Sequence, residues 1–189
     1  GGDTIIVLQD WEGTSVNAGH QAVLIGGDDA GWQLYSKNGG AFGLVGASTD
    51  PQAGEKENTF ATLADFKKNA ENDPRQGRFD NAIIIPTTVG QDVAARYEAT
   101  KEVKSAYIIC GASCTDVASA ALKGAGKNPG TQTRIDGRTG DKYSAPPSQI
   151  PNERFKDIQK NNNAKSADSR VISNKRKDPV RNAKKENPK

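Results

Sequence analysis

Residues 105–126, SAYIICGASCTDVASAALKGAG, constrain the fold more than any other stretch of the chain. A short β-like run at 106–109 meets a tight Gly111-Ala112-Ser113 turn, and an alanine-rich segment follows. Cys114, Val117, Ala118, Ala121, Leu122 and Ala125 recur at i, i+3, i+4 and i+7 spacing. That period predicts a helix with one apolar stripe, beginning at the cysteine, whose small side chains let it approach a sheet closely. Ser113 and Asp116 stand at N-cap and N3 spacing, a capping box with Asp in the place of Glu. Gly124, Gly126 and Pro129 supply the stop. A thiol in the first turn faces unpaired N–H groups and the positive end of the helix dipole, which favours the thiolate. Asp116 pulls the other way. The same position also suits a buried structural cysteine, since free cysteine is among the most buried residue types. The spacing alone leaves both readings open.

At 189 residues the chain holds one domain with a real core. Its charge is unevenly spread: from Pro151 onward there are 12 Lys/Arg against 5 Asp/Glu, and the first 150 residues hold 14 against 18. The net +3 therefore describes neither the mildly acidic body nor the basic end. Cys110 and Cys114, four apart, exclude a Cys-x-x-Cys zinc or redox motif and a disulfide framework. No metal or cofactor is expected. No run of 18 apolar residues and no signal-peptide pattern occurs, so neither a membrane span nor a secretory signal is expected. The absence of methionine, even at the start, predicts a processed or excised piece of a longer protein.

Residues 4–9 (TIIVLQ) read as a buried strand and 19–25 (GHQAVLI) as a second, with His20, Ala22 and Leu24 on one face. The polar cluster at 26–31 turns the chain, and 32–36 returns as a hairpin partner. The Gly-rich stretch 37–58 is long enough for a functional loop or flap. A short helix is expected at 62–69 and a strand at 79–85. Thr88 and Gln91 form a capping box for a helix over 89–104. Short strands at 132–135 and 142–144 flank an Asp136-Gly137 turn, and 151–161 forms a last helix. Residues 162–189, rich in Lys, Asn and Ser without apolar periodicity, read as a disordered basic tail. The expected organisation is a folded domain over 1–161 followed by this tail.

His20 is the only histidine. A lone histidine is usually a packed or surface residue, but here a helix-start cysteine is available for it to meet. Cysteine–histidine catalysis needs an imidazole that takes and returns the thiol proton, with a third polar group to orient the ring. The order GHQAVLIGGDDAGWQLYSKNG, then DNAIIIPTT, a helix, and YIICGASCTDVASAALKGAG resembles circularly permuted papain-like cysteine peptidases, in which the histidine strand precedes the cysteine helix. It is particularly similar to the papain-fold toxin domains of Rhs-type and other polymorphic secretion effectors, relatives of NlpC-type cell-wall amidases. The resemblance covers about residues 5–161.

This resemblance implies an α+β fold: an antiparallel sheet bearing His20 and packed on the Cys114 helix. Cys114 matches the nucleophile and His20 the general base. The third polar group falls on the strand after the histidine strand, where Ser36 is preferred over Gln33. Ser113 stands where the family often has Asn, and Cys110 lies outside the match as a strand-end core residue. The implied activity is amide hydrolysis in peptidoglycan stem peptides of competitor bacteria, by a secreted effector acting in the target periplasm. A protein-directed protease or deamidase acting in a target cytosol uses the same pair. The resemblance also implies a cognate immunity protein. A different class of reading is a non-enzymatic or nucleic-acid-binding domain using Lys175-Arg176-Lys177 and Lys184-Lys185. It is disfavoured because the tail lacks aromatic residues for base stacking.

Overall fold

The computed structural model describes residues 3–12, 19–38, 45–46, 58–73, 76–108, 113–167 and 171–172. Cys110, most of the 37–58 stretch and residues 173–189 of the expected tail lie outside the described residues. The architecture is α+β, with an antiparallel sheet and four helices.

The sheet is built from β1 (Thr4–Asp10), β2 (His20–Gly27), β3 (Gly31–Ser36), β5 (Thr59–Phe60), β6 (Asn81–Pro86) and β10 (Lys165–Ser166), in the order β10-β6-β1-β2-β3-β5. Every pairing within it is antiparallel. β1 lies between β2 and β6 and pairs Val7 with Val23 on one side and with Ile83 on the other. Two shorter pairs stand apart: β4 (Val45–Gly46) with β7 (Tyr107–Ile108), and β8 (Gln132–Ile135) with β9 (Lys142–Ala145). The short run before the cysteine helix is thus a strand, but it joins β4 and not the main sheet.

Both sheet faces are covered, which explains why β1 and β2 are apolar at nearly every position and not alternating. On one face Val7, Val23, Ile25, Tyr35 and Ile83 pack with α2 (Val89–Lys104), α3 (Cys114–Gly124) and α4 (Pro151–Asn161). On the other, Leu8, Ala22, Leu24, Trp32 and Leu34 pack with Phe66 of α1 (Leu63–Ala70) and with Phe79. The chain continues in order past Asn161: β10 extends the sheet along β6, and Ala167, Val171 and Ile172 are buried against the α1 face. A two-residue ladder and three apolar side chains are too short to make a sequence period, yet enough to dock on an open sheet edge.

The local start signals hold. Thr62 with Asp65 and Thr88 with Gln91 form capping boxes, and α4 opens on Pro151 at a first-turn position that needs no N–H. In α3 the Asp116 carboxylate accepts the Ser113 N–H at 2.7 Å, and all six stripe residues from Cys114 to Ala125 are buried.

Candidate functional site

The site lies where β1, β2 and β3 end in polar residues. Gln9, Asp10, His20, Gln21, Ser36 and Lys37 are all buried there, in a region where burial of unpaired polar groups would cost several kcal/mol. Each has at least one specific partner, while Gln9 Oε1 and Gln21 Oε1 are buried with no hydrogen-bond partner among the described residues. Lys37, fully buried, donates from Nζ to the Glu102 carbonyl at 2.9 Å, to Glu102 Oε1 at 3.0 Å and to Ser105 Oγ at 2.7 Å, which fixes the end of β3 to the last turn of α2. Gln9 donates to Asn152 Oδ1 at 2.8 Å and Gln21 to the Pro151 carbonyl at 2.9 Å, which seats the first turn of α4 on the same strands.

His20 opens β2 directly after Gly19, whose φ is +93°. A Cβ at Gly19 would overlap Asn152 Oδ1 and stand 2.5 Å from Gln9 Nε2, so this entry to the histidine admits only glycine. The imidazole Nε2 is 3.2 Å from Ser36 Oγ, and the ring stacks on Phe79 with centroids 6.1 Å apart. Of the two residues considered beside the ring, Ser36 is its hydrogen-bonding neighbour, while Gln33 Oε1 accepts the Tyr35 hydroxyl at 2.6 Å.

Cys114 is the first residue of α3 and is 5% exposed. Against the larger upward push of burial, the backbone N–H groups of Gln21 and Thr115 are among the groups that lower its pKa. Gln21 directly follows His20 at the start of β2. Strand alternation sends the imidazole to the α1 face with Ala22 and Leu24, whereas α3 packs on the opposite face with Val23 and Ile25. The imidazole and the cysteine helix therefore lie on opposite faces of the sheet. Among the described residues no hydrogen bond joins ring to sulfur in this resting arrangement.

A third group, absent from the expected set, sits with them. Arg78 Nε is 2.9 Å from Asp10 Oδ2, with both side chains largely buried, and Asp10 is the direct cross-strand partner of His20. Arg78 immediately precedes the Phe79 ring that stacks on the imidazole. Burial first, and then the Arg78 charge, hold the His20 pKa well below its ordinary value. Burial pushes the Cys114 thiol up, while the Gln21 N–H and Arg78 pull it back and Asp116 adds to the rise. Both groups rest neutral near neutral pH. The only sequence cue to Arg78 was its place beside a buried aromatic.

Asp116 has a second task besides capping: Arg154 of α4, 1% exposed, donates to its Oδ1 at 3.1 Å and to Ser119 Oγ at 2.9 Å. The start of the cysteine helix is thereby held from two elements. Two cavities adjoin this region. One of about 490 Å³ lies between α2 and α3, lined by Glu98, Glu102, Asp116, Ser119 and Lys123 among others. The second, of about 540 Å³, lies between the β8–β9 pair and α4 and includes Arg134, Pro146, Pro147 and Glu153. Neither is lined by Cys114 or His20. Among the described residues no cluster of three or more His, Cys, Asp or Glu stands ready for a metal, and no helix is long and apolar enough to cross a membrane. Compared with protein-family models, curated proteins and solved structures, the chain matches none.

Proposed function

We propose that this chain is a cysteine hydrolase of amide bonds, with Cys114 as nucleophile, His20 as general acid and base, and Ser36 as the residue that orients the ring. The observation that carries the reading is a helix-first thiol on α3 together with a buried histidine at the start of β2 whose Nε2 stands 3.2 Å from Ser36 Oγ; Gln21, the residue after that histidine, is among the groups whose backbone N–H lowers the thiol's pKa. In the reaction the thiol proton passes to His20 Nδ1 and the thiolate adds to the amide carbonyl carbon. First-turn N–H groups of α3, that of Cys114 among them, stabilise the oxyanion. The imidazolium returns its proton to the departing amine. Water then attacks the thioester with His20 as base and frees the carboxylic acid and the thiol. Catalytic hydrogen bonds are commonly loose without substrate and tighten in the complex, so a resting pair that is not yet bonded is compatible with this sequence of steps.

The arrangement of histidine strand before cysteine helix supports a permuted papain-like organisation of the NlpC type. On that likeness the substrate is the stem peptide of peptidoglycan, the setting is a secreted antibacterial effector acting in a competitor's periplasm, and a cognate immunity protein is its partner. The test is digestion of purified sacculi with the wild-type chain and with Cys114→Ala, His20→Ala and Cys110→Ala. Wild type and Cys110→Ala should release muropeptide fragments, and the other two should fall by about a thousandfold or more, since members of such a unit fail together. Equal release by wild type and Cys114→Ala would end the assignment. Intact sacculi with cleaved or deamidated protein substrates would move the substrate to polypeptides.

A further inference from the structure

The β8–β9 ladder joins neither the main sheet nor either apolar cluster, and six of its eight residues are exposed. A bare two-strand ladder is marginal in water, and its outer edges keep backbone groups that another strand can pair. We propose that the outer edge of β8 is a docking site for an extended segment of a partner protein in which acidic and apolar side chains alternate. The hairpin holds its own shape without closing that edge. Asp136 Oδ1 accepts the Arg138 and Thr139 N–H groups at 2.7 and 3.1 Å, and the Asp136 N–H donates to the Asp141 carbonyl at 2.8 Å, which sets the turn.

Strand alternation gives the ladder two faces. Gln132 and Arg134 share one with Ala145 and Tyr143, and Thr133 and Ile135 share the other with Ser144 and Lys142. The first face continues into the cavity beside α4, which Gln132, Arg134, Ala145, Pro146 and Pro147 help to line. Arg134 is oriented in advance: its Nε and Nη2 donate to Gln132 Oε1 at 3.4 and 3.2 Å, and Gln132 Nε2 donates to the Pro146 carbonyl at 2.7 Å. Among the described residues no carboxylate pairs with Arg134 or Lys142, and Ile135 is 63% exposed. Charge complementarity then fixes the occupant. A strand laid along β8 meets Arg134 on one face and Ile135 on the other, so cross-strand pairing calls for a carboxylate on the first and an apolar side chain on the second. A second copy of this chain is disfavoured, because antiparallel β8–β8 pairing brings two Arg134 side chains together. A nucleic acid is disfavoured by Asp136 and Asp141 at the turn and by Glu153 in the cavity.

The test follows the fluorescence anisotropy of a labelled, capped peptide of alternating glutamate and valine, about seven residues long to span the strand. The full chain carries Cys114→Ala, so the probe stays intact and the result stands apart from the hydrolase reading. The peptide should bind, and versions with lysine for glutamate, or with proline at alternate positions, should bind about tenfold more weakly or less. Arg134→Gln should weaken binding about fivefold, whereas Lys142→Gln, the same charge change on the far strand, should stay within about twofold. Both side chains are exposed, so neither variant disturbs the fold. The proposal is overturned by no binding of the glutamate–valine peptide, by equal binding of the proline version, or by equal losses in the two variants. Tighter binding of a single-stranded oligonucleotide, or a dimer of the free chain that Ile135→Glu dissolves, would overturn it as well.

Discussion

The middle and the end of the same three strands are equally buried but are held by different physics. In the middle, Ile5, Val7, Val23, Ile25 and Leu34 face packed apolar side chains, and their contribution scales with area removed from water. At the end, Gln9, Asp10, His20, Gln21, Ser36 and Lys37 are buried to the same degree, and each is secured by a named partner. Area is non-directional, so the middle tolerates similar shapes. Partners are directional, so the end tolerates few substitutions but permits paired ones.

The largest effect that separates the two regions concerns rescue. Leu24→Ala in the middle should cost about 2–5 kcal/mol through the cavity it leaves. Asp10→Ala at the end should cost a similar ~3–5 kcal/mol, because it leaves Arg78 buried without its carboxylate. Chemical denaturation of both, and of Arg78→Gln/Asp10→Asn, measures the contrast. The double variant should recover a substantial part of the loss, whereas failure to recover would show that the end behaves like ordinary core.

A smaller effect sharpens the role of Ser36. Ser36→Ala removes one hydrogen bond, worth about 1 kcal/mol, to His20 Nε2. Turnover should fall by roughly tenfold, far less than for His20→Ala, with little change in Tm. A loss as large as that of His20→Ala would make the hydroxyl a direct participant.

The pH dependence of stability distinguishes the regions by sign alone. The His20 pKa is lowered in the folded state, so the unfolded chain binds more protons below about pH 6.5 and stability falls as pH drops through that value. The Cys114 pKa is raised, so the unfolded chain loses its proton first and stability falls as pH climbs past about 8.5. Denaturant midpoints across that range should flatten on the acid side in His20→Gln and on the alkaline side in Cys114→Ala. Leu24→Ala should lower the whole curve without changing its shape.

The smallest effect is local. Thr88→Ala should cost about 1 kcal/mol by removing one arm of the α2 capping box, readable as a modest Tm shift with activity retained.

Much of the secondary structure was legible because its causes lie within a few residues. Capping pairs three apart set the starts of α1, α2 and α3, and a proline set that of α4. The Cys114–Ala125 stripe showed which side of α3 is buried, and the Trp32 return strand pointed to Ser36 as the ring's partner. Strand order was not legible. β6 joins β1 across more than seventy residues, and an apolar run buried on both faces carries no mark of its neighbour. The face of His20 was readable from alternation, but which helix covers that face was not.

By itself the sequence determined where helices begin, which positions are apolar, and that the chain holds two cysteines and a single histidine, because each of these depends on side-chain type and short-range spacing. Only the tertiary structure decided that α3 lies on the face opposite the imidazole, and that Arg78 and Asp10, 68 residues apart, form a buried pair on the strand that faces His20. Those outcomes depend on how distant segments share one limited interior, where a charge is admitted only with its partner.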